Sequence, residues 1–234
     1  DIINGKNVIA PIKEIQEVKN AIKTYELYPS LDPFKVSDLL KAHGVMMQAL
    51  AGDAGRFRAG GVGVFSEKGC VHMAPSADMV PMLVNDLFEW LSDSTDHLLI
   101  RSCVFHYEFE FIHPFSDGNG RMGRLWQSLI LGKLHPLFEH LPVENMVYSN
   151  QQAYYDAITE SSKKADSGPF IDFMLNEISS ALKTHQVQGT DDVGINVGIN
   201  ERNILTLIAN SPTATIRDMS DALGLSVRQC ERLV

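Results

Sequence analysis

The segment from Leu98 to Ile112 carries apolar side chains on almost every side of a helix. Two apolar rows recur at helical spacing, one formed by Ile100, Val104, Tyr107 and Phe111 and the other by Phe105, Phe109 and Ile112. A helix with this pattern is expected to lie inside the protein, covered by other elements. A narrow polar stripe remains on it, consisting of Ser102, His106 and Glu110 and followed by His113. We therefore expect the chain to fold around this helix and to enclose the stripe.

Further stretches have the periodicity of amphipathic helices. They are Ile12 to Leu27, Val36 to Leu50, Met79 to Leu91, Arg121 to Leu134, Gln151 to Ser162 and Phe170 to His185. Residues 60–75 differ, because two short β-prone runs flank a Ser-Glu-Lys-Gly turn and predict a hairpin. We predict a mainly α fold, with a helical core, a small β-hairpin flap and a small helix-turn-helix domain after it. A hairpin on the surface without a role stays an open alternative.

The predicted domains are a core over residues 1–186, a linker over 187–200 and a truncated, winged-helix-like module over 201–234. The linker loses helical periodicity and gathers Gly, Asn and Asp. Three short helices are expected in the module, at Asn203 to Asn210, Ile216 to Leu223 and Val227 to Val234. Acidic and basic residues balance there, whereas DNA-binding domains are usually basic. A protein-contact module is therefore as good an interpretation as a DNA-binding one.

The composition excludes several classes of protein. With 234 residues, of which 44% are hydrophobic and 21% charged, the chain is typical of globular proteins. The net charge of −9 disfavours a protein whose main task is to hold nucleic acid. No uncharged apolar run approaches the ~18 residues of a membrane span. Three separate cysteines favour a reducing cytoplasm over a disulfide framework. Because the chain starts without Met and stops within a helical pattern, we interpret it as a fragment.

The loop at 116–120 has the features of an anion site. Pro114 ends the buried helix and delivers His113 to this loop. Gly118 and Gly120 let backbone N–H groups turn to one side, and the helix that follows adds N–H donors and a positive dipole end. The loop is therefore predicted to bind phosphate.

Charged side chains next to the loop fit the same ligand. Arg121 and Arg124 supply planar cations for phosphate oxygens, and Asp117 can hold Mg²⁺ beside them. The spacing Gly118 to Gly123 matches the dinucleotide motif G-x-G-x-x-G, but a helix precedes it where that fold needs a strand. No Gly-Lys-Ser/Thr of a Walker loop occurs. A weaker alternative is a metal site formed by His106, Glu110 and His113.

The run from His113 to Arg124, HPFSDGNGRMGR, resembles the full signature of the Fic (filamentation induced by cAMP) family. The resemblance covers about residues 11 to 185, and Fic chains often carry a C-terminal winged helix-turn-helix. It implies transfer of AMP from ATP to a Tyr, Thr or Ser hydroxyl of a target protein, with release of pyrophosphate. Gly120 stands where phosphotransferases of the family have Lys, which favours AMP over phosphate transfer.

The resemblance also implies roles for individual residues. His113 would be the general base, Asp117 would hold Mg²⁺ and Phe115 would be a core anchor outside the site. The residues implied to bind ATP are Asp117, Gly118, Asn119, Gly120, Arg121, Met122, Gly123 and Arg124, the flap residues Val62, Gly63, Val64 and Phe65, and Tyr154 and Tyr155. The flap is also expected to pair with the target segment as an added strand. Ser162 stands near the place where some members have an adenine-binding Asn.

Many Fic enzymes are inhibited by a Ser/Thr-x-x-x-Glu-Gly/Asn segment whose glutamate pairs with the second arginine of the loop. No Ser or Thr in this chain has Glu four residues later, so we expect the segment to lie upstream of Asp1 and Arg124 to be unpaired. A separate antitoxin-like inhibitor is the alternative. Self-modification, a homodimer and weak DNA binding stay open. So do a DNA-binding regulator that senses nucleotide and a Fic enzyme that transfers another nucleotide moiety.

Overall fold

The computed structural model describes residues 11–66, 69–141, 143–188 and 216–223. The chain divides into two compact units, Asp1–His185 and Gln186–Val234. The first unit contains all of the predicted site residues. In the part of the chain that the structure describes, no helix is both long and apolar enough to cross a membrane.

The first unit begins with α1 (Ile12–Glu26), a 3-10 helix (Tyr28–Ser30) and α2 (Val36–Met46). The strands β1 (Gly63–Ser66) and β2 (Gly69–Met73) follow, and then a second 3-10 helix (Ala77–Met79). The central helices are α3 (Val80–Asp93), α4 (Leu98–Ile112) and α5 (Asn119–Gly132). A 3-10 helix (Pro136–His140) leads to α6 (Val143–Ser149), α7 (Gln151–Lys164) and α8 (Gly168–Gln188). The second unit contains α9 (Ile216–Leu223).

The predicted mainly helical fold is confirmed, and α4 has the predicted bounds. α5 begins at Asn119 rather than Arg121, because Gly118 ends the loop with a positive φ of 86° and caps the helix. α2 ends at Met46 rather than Leu50, and Ala49 then turns the chain with a φ of 60°. The short α6 was not predicted, because a helix of one or two turns is too short to show a recurring pattern of apolar residues in the sequence.

The C-terminal predictions are tested only in part. α9 has the predicted bounds, and the helices predicted at 203–210 and 227–234 lie outside the described residues. α8 continues to Gln188, which lies within the predicted linker over 187–200. The remainder of that linker also lies outside the described residues, so the helix-turn-helix stays a prediction.

The two strands form an antiparallel pair between α2 and α3. Gly63 lies opposite Met73 and Ser66 lies opposite Gly69, with an irregularity between Val64 and Phe65. The Ala74 N–H donates to the Val62 carbonyl over 3.2 Å and continues the pairing at the base of the hairpin. Its role as a flap stays a prediction.

The core of the first unit has two apolar clusters that share α4 and α5. The first packs α2, α3, α4 and α5 together and includes Leu39, Val84, Phe105, Phe109 and Trp126. The second packs α4 and α5 against the C-terminal helices and includes Tyr107, Leu131, Met146, Tyr154 and Phe170. Because α5 contributes to both clusters, its position is fixed. The loop before α5 therefore ends on a fixed element.

Candidate active site

His113 is held at the end of α4 in a left-handed conformation, with a φ of 49°. Its N–H donates to the Phe109 carbonyl over 2.9 Å, so the last turn of the helix is closed. A residue before proline rarely adopts a helical conformation, and a non-glycine residue with positive φ is strained. The conformation turns the imidazole back towards α4, where Nδ1 lies 3.3 Å from the Glu110 carbonyl. This contact assigns the ring proton to Nδ1 and makes Nε2 the basic nitrogen.

Asn119 closes the loop that follows His113. Its side-chain Oδ1 accepts from the Phe115 N–H over 2.9 Å, and its Nδ2 donates to the Phe115 carbonyl over 2.9 Å. Both amide groups are therefore used inside the loop, and Asn119 is only 2% exposed. The implied contact of Asn119 with ATP stays a prediction.

Phe115 is fully buried, which confirms its prediction as a core anchor. Its ring stacks on the ring of His43 at a centroid distance of 3.6 Å. The Gly55 N–H donates to His43 Nδ1 over 2.9 Å, so Nε2 carries the proton and donates to the Asp117 carbonyl over 3.1 Å. Burial lowers the pKa of His43 and favours this neutral form. His43 therefore connects α2 to the loop and supports it.

Gly118 could not be replaced without strain. A Cβ there would lie 2.8 Å from Met47 Sδ, in addition to the positive φ. The Gly118 N–H donates to Asp117 Oδ1 over 2.6 Å, and its implied contact with ATP stays a prediction. The Asp117 carboxylate is 57% exposed and lies 3.8 Å from the Arg121 guanidinium. Asp117 is therefore an accessible oxygen donor beside a cation.

Arg58 is a residue of the site that sequence reasoning missed. It is only 3% exposed and donates to backbone carbonyls from three segments. Its Nε donates to His113 over 2.8 Å, Nη1 donates to Gly60 over 2.8 Å, and Nη2 donates to Pro75 over 2.6 Å and to Ile112 over 3.2 Å. The Arg58 N–H also donates to the Pro114 carbonyl over 3.0 Å. One side chain thus joins both ends of the hairpin segment to the backbone at the end of α4.

The two arginines of α5 differ in their surroundings. Arg121 is 28% exposed at its side chain, and its Nη2 lies 3.2 Å from Met47 Sδ. Arg124 is 18% exposed, and its Nε donates to Glu144 Oε2 of α6 over 2.5 Å. The expectation that Arg124 is unpaired is therefore wrong, because Glu144 of α6 supplies a carboxylate although the chain has no Ser/Thr-x-x-x-Glu segment. The neighbouring carboxylates raise the pKa of Arg124 although burial opposes this.

Other residues implied to bind ATP belong to the core. Met122 is fully buried, and a Cβ at Gly123 would lie 2.9 Å from Glu110 Oε1. Tyr154 is 3% exposed, and its hydroxyl lies 3.1 Å from His106 Nε2. These three residues face the interior, and their implied contacts with ATP stay predictions. Tyr155 is half-buried and packs edge-on against Tyr154.

At the base of the hairpin Val62 and Gly63 are half-buried, and their neighbours Val64 and Phe65 lie in β1. Ser162 Oγ lies 3.4 Å from the Tyr107 hydroxyl, at the end of α7.

His106 is a buried, neutral histidine. Its Nδ1 lies 2.6 Å from Gln127 Oε1, and its Nε2 accepts from Tyr154. Burial lowers the pKa of His106 to about 4. Both ring nitrogens therefore have protein partners, and no group of three metal-binding side chains occurs among the described residues. The alternative metal site at His106, Glu110 and His113 has no support in this geometry.

Comparisons with known proteins show which family the chain resembles. A model of the Fic/DOC family matches residues 33–131. The solved structure of a Fic family protein from Desulfovibrio desulfuricans G20 is 44% identical, covers 99% of this chain and 69% of that chain, and has a TM-score of 0.77.

Two curated relatives are similar over shorter stretches. A probable protein adenylyltransferase of Aquifex aeolicus (strain VF5) is 35% identical over 92 residues, which is 39% of this chain and 27% of that protein. A protein adenylyltransferase Fic of Nematostella vectensis is 25% identical over 178 residues, which is 74% of this chain and 39% of that protein. The chain thus spans well under half the length of these two relatives.

The buried helix α4 ends at His113, whose backbone is in the left-handed conformation. A glycine-rich loop follows, and α5 starts from that loop. This arrangement defines a Fic-type fold. The chain belongs to the Fic family.

Proposed function

We propose that the chain transfers AMP from ATP to a hydroxyl side chain of a protein and releases pyrophosphate. The main support for this proposal is the orientation of the His113 ring. The Glu110 carbonyl holds the ring proton on Nδ1, and this leaves Nε2 as a base. An intact HPFSDGNGRMGR loop and relatives named protein adenylyltransferases support the same activity.

In the proposed reaction the hydroxyl oxygen attacks the α-phosphorus of ATP. Its proton passes to His113 Nε2, a bond forms between the oxygen and phosphorus, and the bond from phosphorus to the leaving pyrophosphate breaks. The N–H groups in the first turn of α5 have no acceptor within the helix, and they are proposed to stabilise the phosphate charge that develops. Arg121 and Arg124 are proposed to bind the terminal phosphates.

The proposed cation is Mg²⁺, for which Asp117 is a suitable ligand. Its carboxylate is exposed next to the helix start, and Mg²⁺ is commonly bound by one or two carboxylates together with substrate phosphates. When bound, the ion would neutralise phosphate charge. The lack of a side chain at Gly120 also fits ATP, since a Cβ there would lie 3.0 Å from Arg124 Nη1.

The hairpin is proposed to receive the target. β1 and β2 form only a two-stranded sheet, so an extended segment can add as a further strand next to the loop. Arg58 ties the ends of this hairpin segment to the carbonyl of His113, and this keeps the added strand close to the base.

The test is the intact mass of the chain after incubation with Mg²⁺ and, separately, ATP, UTP, GTP and CDP-choline. We expect ATP to add the mass of AMP, either to this chain or to an added protein acceptor. Tyr148 is 82% exposed and Tyr25 is 45% exposed, so both offer hydroxyls for self-modification. An increment of one phosphate, or one from another nucleotide, would contradict the proposal.

His113→Ala provides the matching variant. We expect it to bind ATP as the parent chain does and to transfer nothing, because the base acts on the incoming hydroxyl. His135→Ala is the control, since His135 is an exposed histidine outside the site. Transfer by His113→Ala, or loss of ATP binding together with transfer, would contradict the assigned role.

A further inference from the structure

Glu110 has a buried carboxyl that has no role in the reaction proposed above. It lies on α4, is only 8% exposed, and its Oε1 has no hydrogen-bond partner among the described residues. A buried polar atom without a partner is costly, and such atoms are rare in native proteins. α5 leaves space for this carboxyl, because Gly123 lacks the Cβ that would lie 2.9 Å from Oε1. A side chain that is costly to bury and is accommodated by a glycine calls for a functional explanation.

The second carboxyl oxygen faces the candidate base. Glu110 Oε2 lies 3.8 Å from His113 Nδ1, the same nitrogen that contacts the Glu110 backbone carbonyl at 3.3 Å. The carbonyl and the carboxyl of one residue therefore both face the protonated nitrogen of His113. Nε2 is the opposite nitrogen of the ring, and it is the atom that accepts the proton in the proposed reaction.

We propose that Glu110 is a positioning residue that orients the His113 imidazole and stabilises it when it becomes charged. This inference rests on the proposed function. As the hydroxyl oxygen bonds to the α-phosphorus and pyrophosphate leaves, the hydroxyl proton moves to Nε2. The imidazolium then carries a proton on each nitrogen, and the Glu110 carboxylate, whose Oε2 lies 3.8 Å from Nδ1, stabilises its positive charge. The same arrangement of base and orienting carboxylate serves other nucleophilic reactions.

Titratable groups from three helices lie near Glu110. Arg124 lies on α5, Tyr154 lies on α7, His106 precedes Glu110 on α4, and His113 follows the end of α4. Burial raises the pKa of Glu110 to about 7, and the charge of Arg124 opposes this rise. Arg124 is itself paired with Glu144, which places further negative charge near Tyr154. The carboxyl therefore titrates close to neutral pH, beside the ring that it orients.

The test is a pH titration of the histidine rings by NMR, in the full chain with labelled histidine and without nucleotide. His113→Asn assigns the His113 signals. In the parent chain we expect two inflections in the His113 curve, because coupled groups titrate together. Glu110→Gln keeps the shape of the side chain, and we expect it to leave one inflection with a midpoint at lower pH. Glu108→Gln is the matched control, since Glu108 lies on the same helix but lines a cavity with Leu83 and Trp90.

A single inflection in the parent chain would overturn the inference, and this result does not require any variant to fold. An unchanged His113 midpoint in folded Glu110→Gln would also overturn it. Where transfer is measurable, we expect Glu110→Gln to lower kcat about tenfold with the KM for ATP within about twofold. Because the NMR titration needs no turnover, two inflections without any AMP transfer would reject the proposed function and retain the pairing.

Discussion

Arg124 lies where the candidate phosphate site meets α6. Glu144 binds its Nε, while Nη1 and Nη2 would lie 3.0 and 3.8 Å from a Cβ at Gly120. One edge of the guanidinium is therefore held by the protein, and its terminal nitrogens lie beside the loop. A cation held in this way loses little further freedom when phosphate binds.

We expect Arg124→Ala to weaken ATP binding about tenfold or more, because a hydrogen bond to a charged group contributes about 1.5–3 kcal/mol. The fold should persist, since Glu144 is 43% exposed at its side chain and can be solvated. The measurement is calorimetric titration with ATP and Mg²⁺. Lys133→Ala, an exposed cation at the other end of α5, should change the affinity less than about twofold. An equal effect of both substitutions would place the γ-phosphate contact elsewhere.

Within the motif, properties that follow from residue type could be predicted from the sequence. The side of the helix on which a residue lies could not. The histidine that ends α4 and the buried Phe115 follow from residue type and from Pro114. Met122 lies in the first turn of α5, where its side chain is fully buried, and its implied contact with ATP stays a prediction. Twelve consecutive motif residues do not show which of them face inward, since a helix presents neighbouring residues to different sides.

At the scale of elements, Arg58 connects the hairpin to the end of α4. Its partners are backbone carbonyls of Gly60, Pro75, Ile112 and His113, and it stays buried without a carboxylate partner among the hydrogen bonds described. Carbonyl acceptors leave no trace in a sequence, because every residue has one. For this reason the helices could be predicted from periodicity while this connection could not.

We expect Arg58→Lys to lower the free energy of unfolding by about 3 kcal/mol, because a lysine ammonium cannot reach these carbonyls in the fixed geometry of a guanidinium. Urea unfolding measures the loss, and limited proteolysis should show faster cleavage within 59–76. Arg56→Lys is the control, since Arg56 is exposed two positions earlier in the same segment. If the two variants proved equally stable, the hydrogen bonds of Arg58 would not be stabilising.

At the scale of the whole molecule, buried titratable groups on α4 make stability depend on pH in opposite directions. Burial lowers the pKa of His106 to about 4, so its contribution to stability is present above about pH 6.5 and is lost as the pH falls towards 4. Burial raises the pKa of Glu110 to about 7. Its contribution is fully present below pH 4.5, the usual pKa of a glutamate, and is lost as the pH rises through 7.

We expect Glu110→Gln to gain stability relative to the parent chain as the pH rises from 4.5 to 7, and to show a constant difference above 7. The total gain over this interval is up to about 3 kcal/mol, since a tenfold change in proton affinity corresponds to about 1.4 kcal/mol. The contribution of His106 is common to both chains and cancels in the difference. Urea unfolding at a series of pH values measures it. Glu89→Gln removes an exposed carboxyl of α3 and should give a flat difference.

The anchoring of the hairpin segment has a consequence for how such proteins diversify. Gly60 and Pro75, at its two ends, bind the same guanidinium that holds the carbonyl of His113. Gly60 and Pro75 bind the guanidinium through their backbone carbonyls, so the residues between these two points can change identity while the anchors stay in place. Exchanging residues 61–74 for the equivalent segment of another family member should therefore alter which acceptor protein the proposed transfer modifies and leave the proposed role of His113 intact.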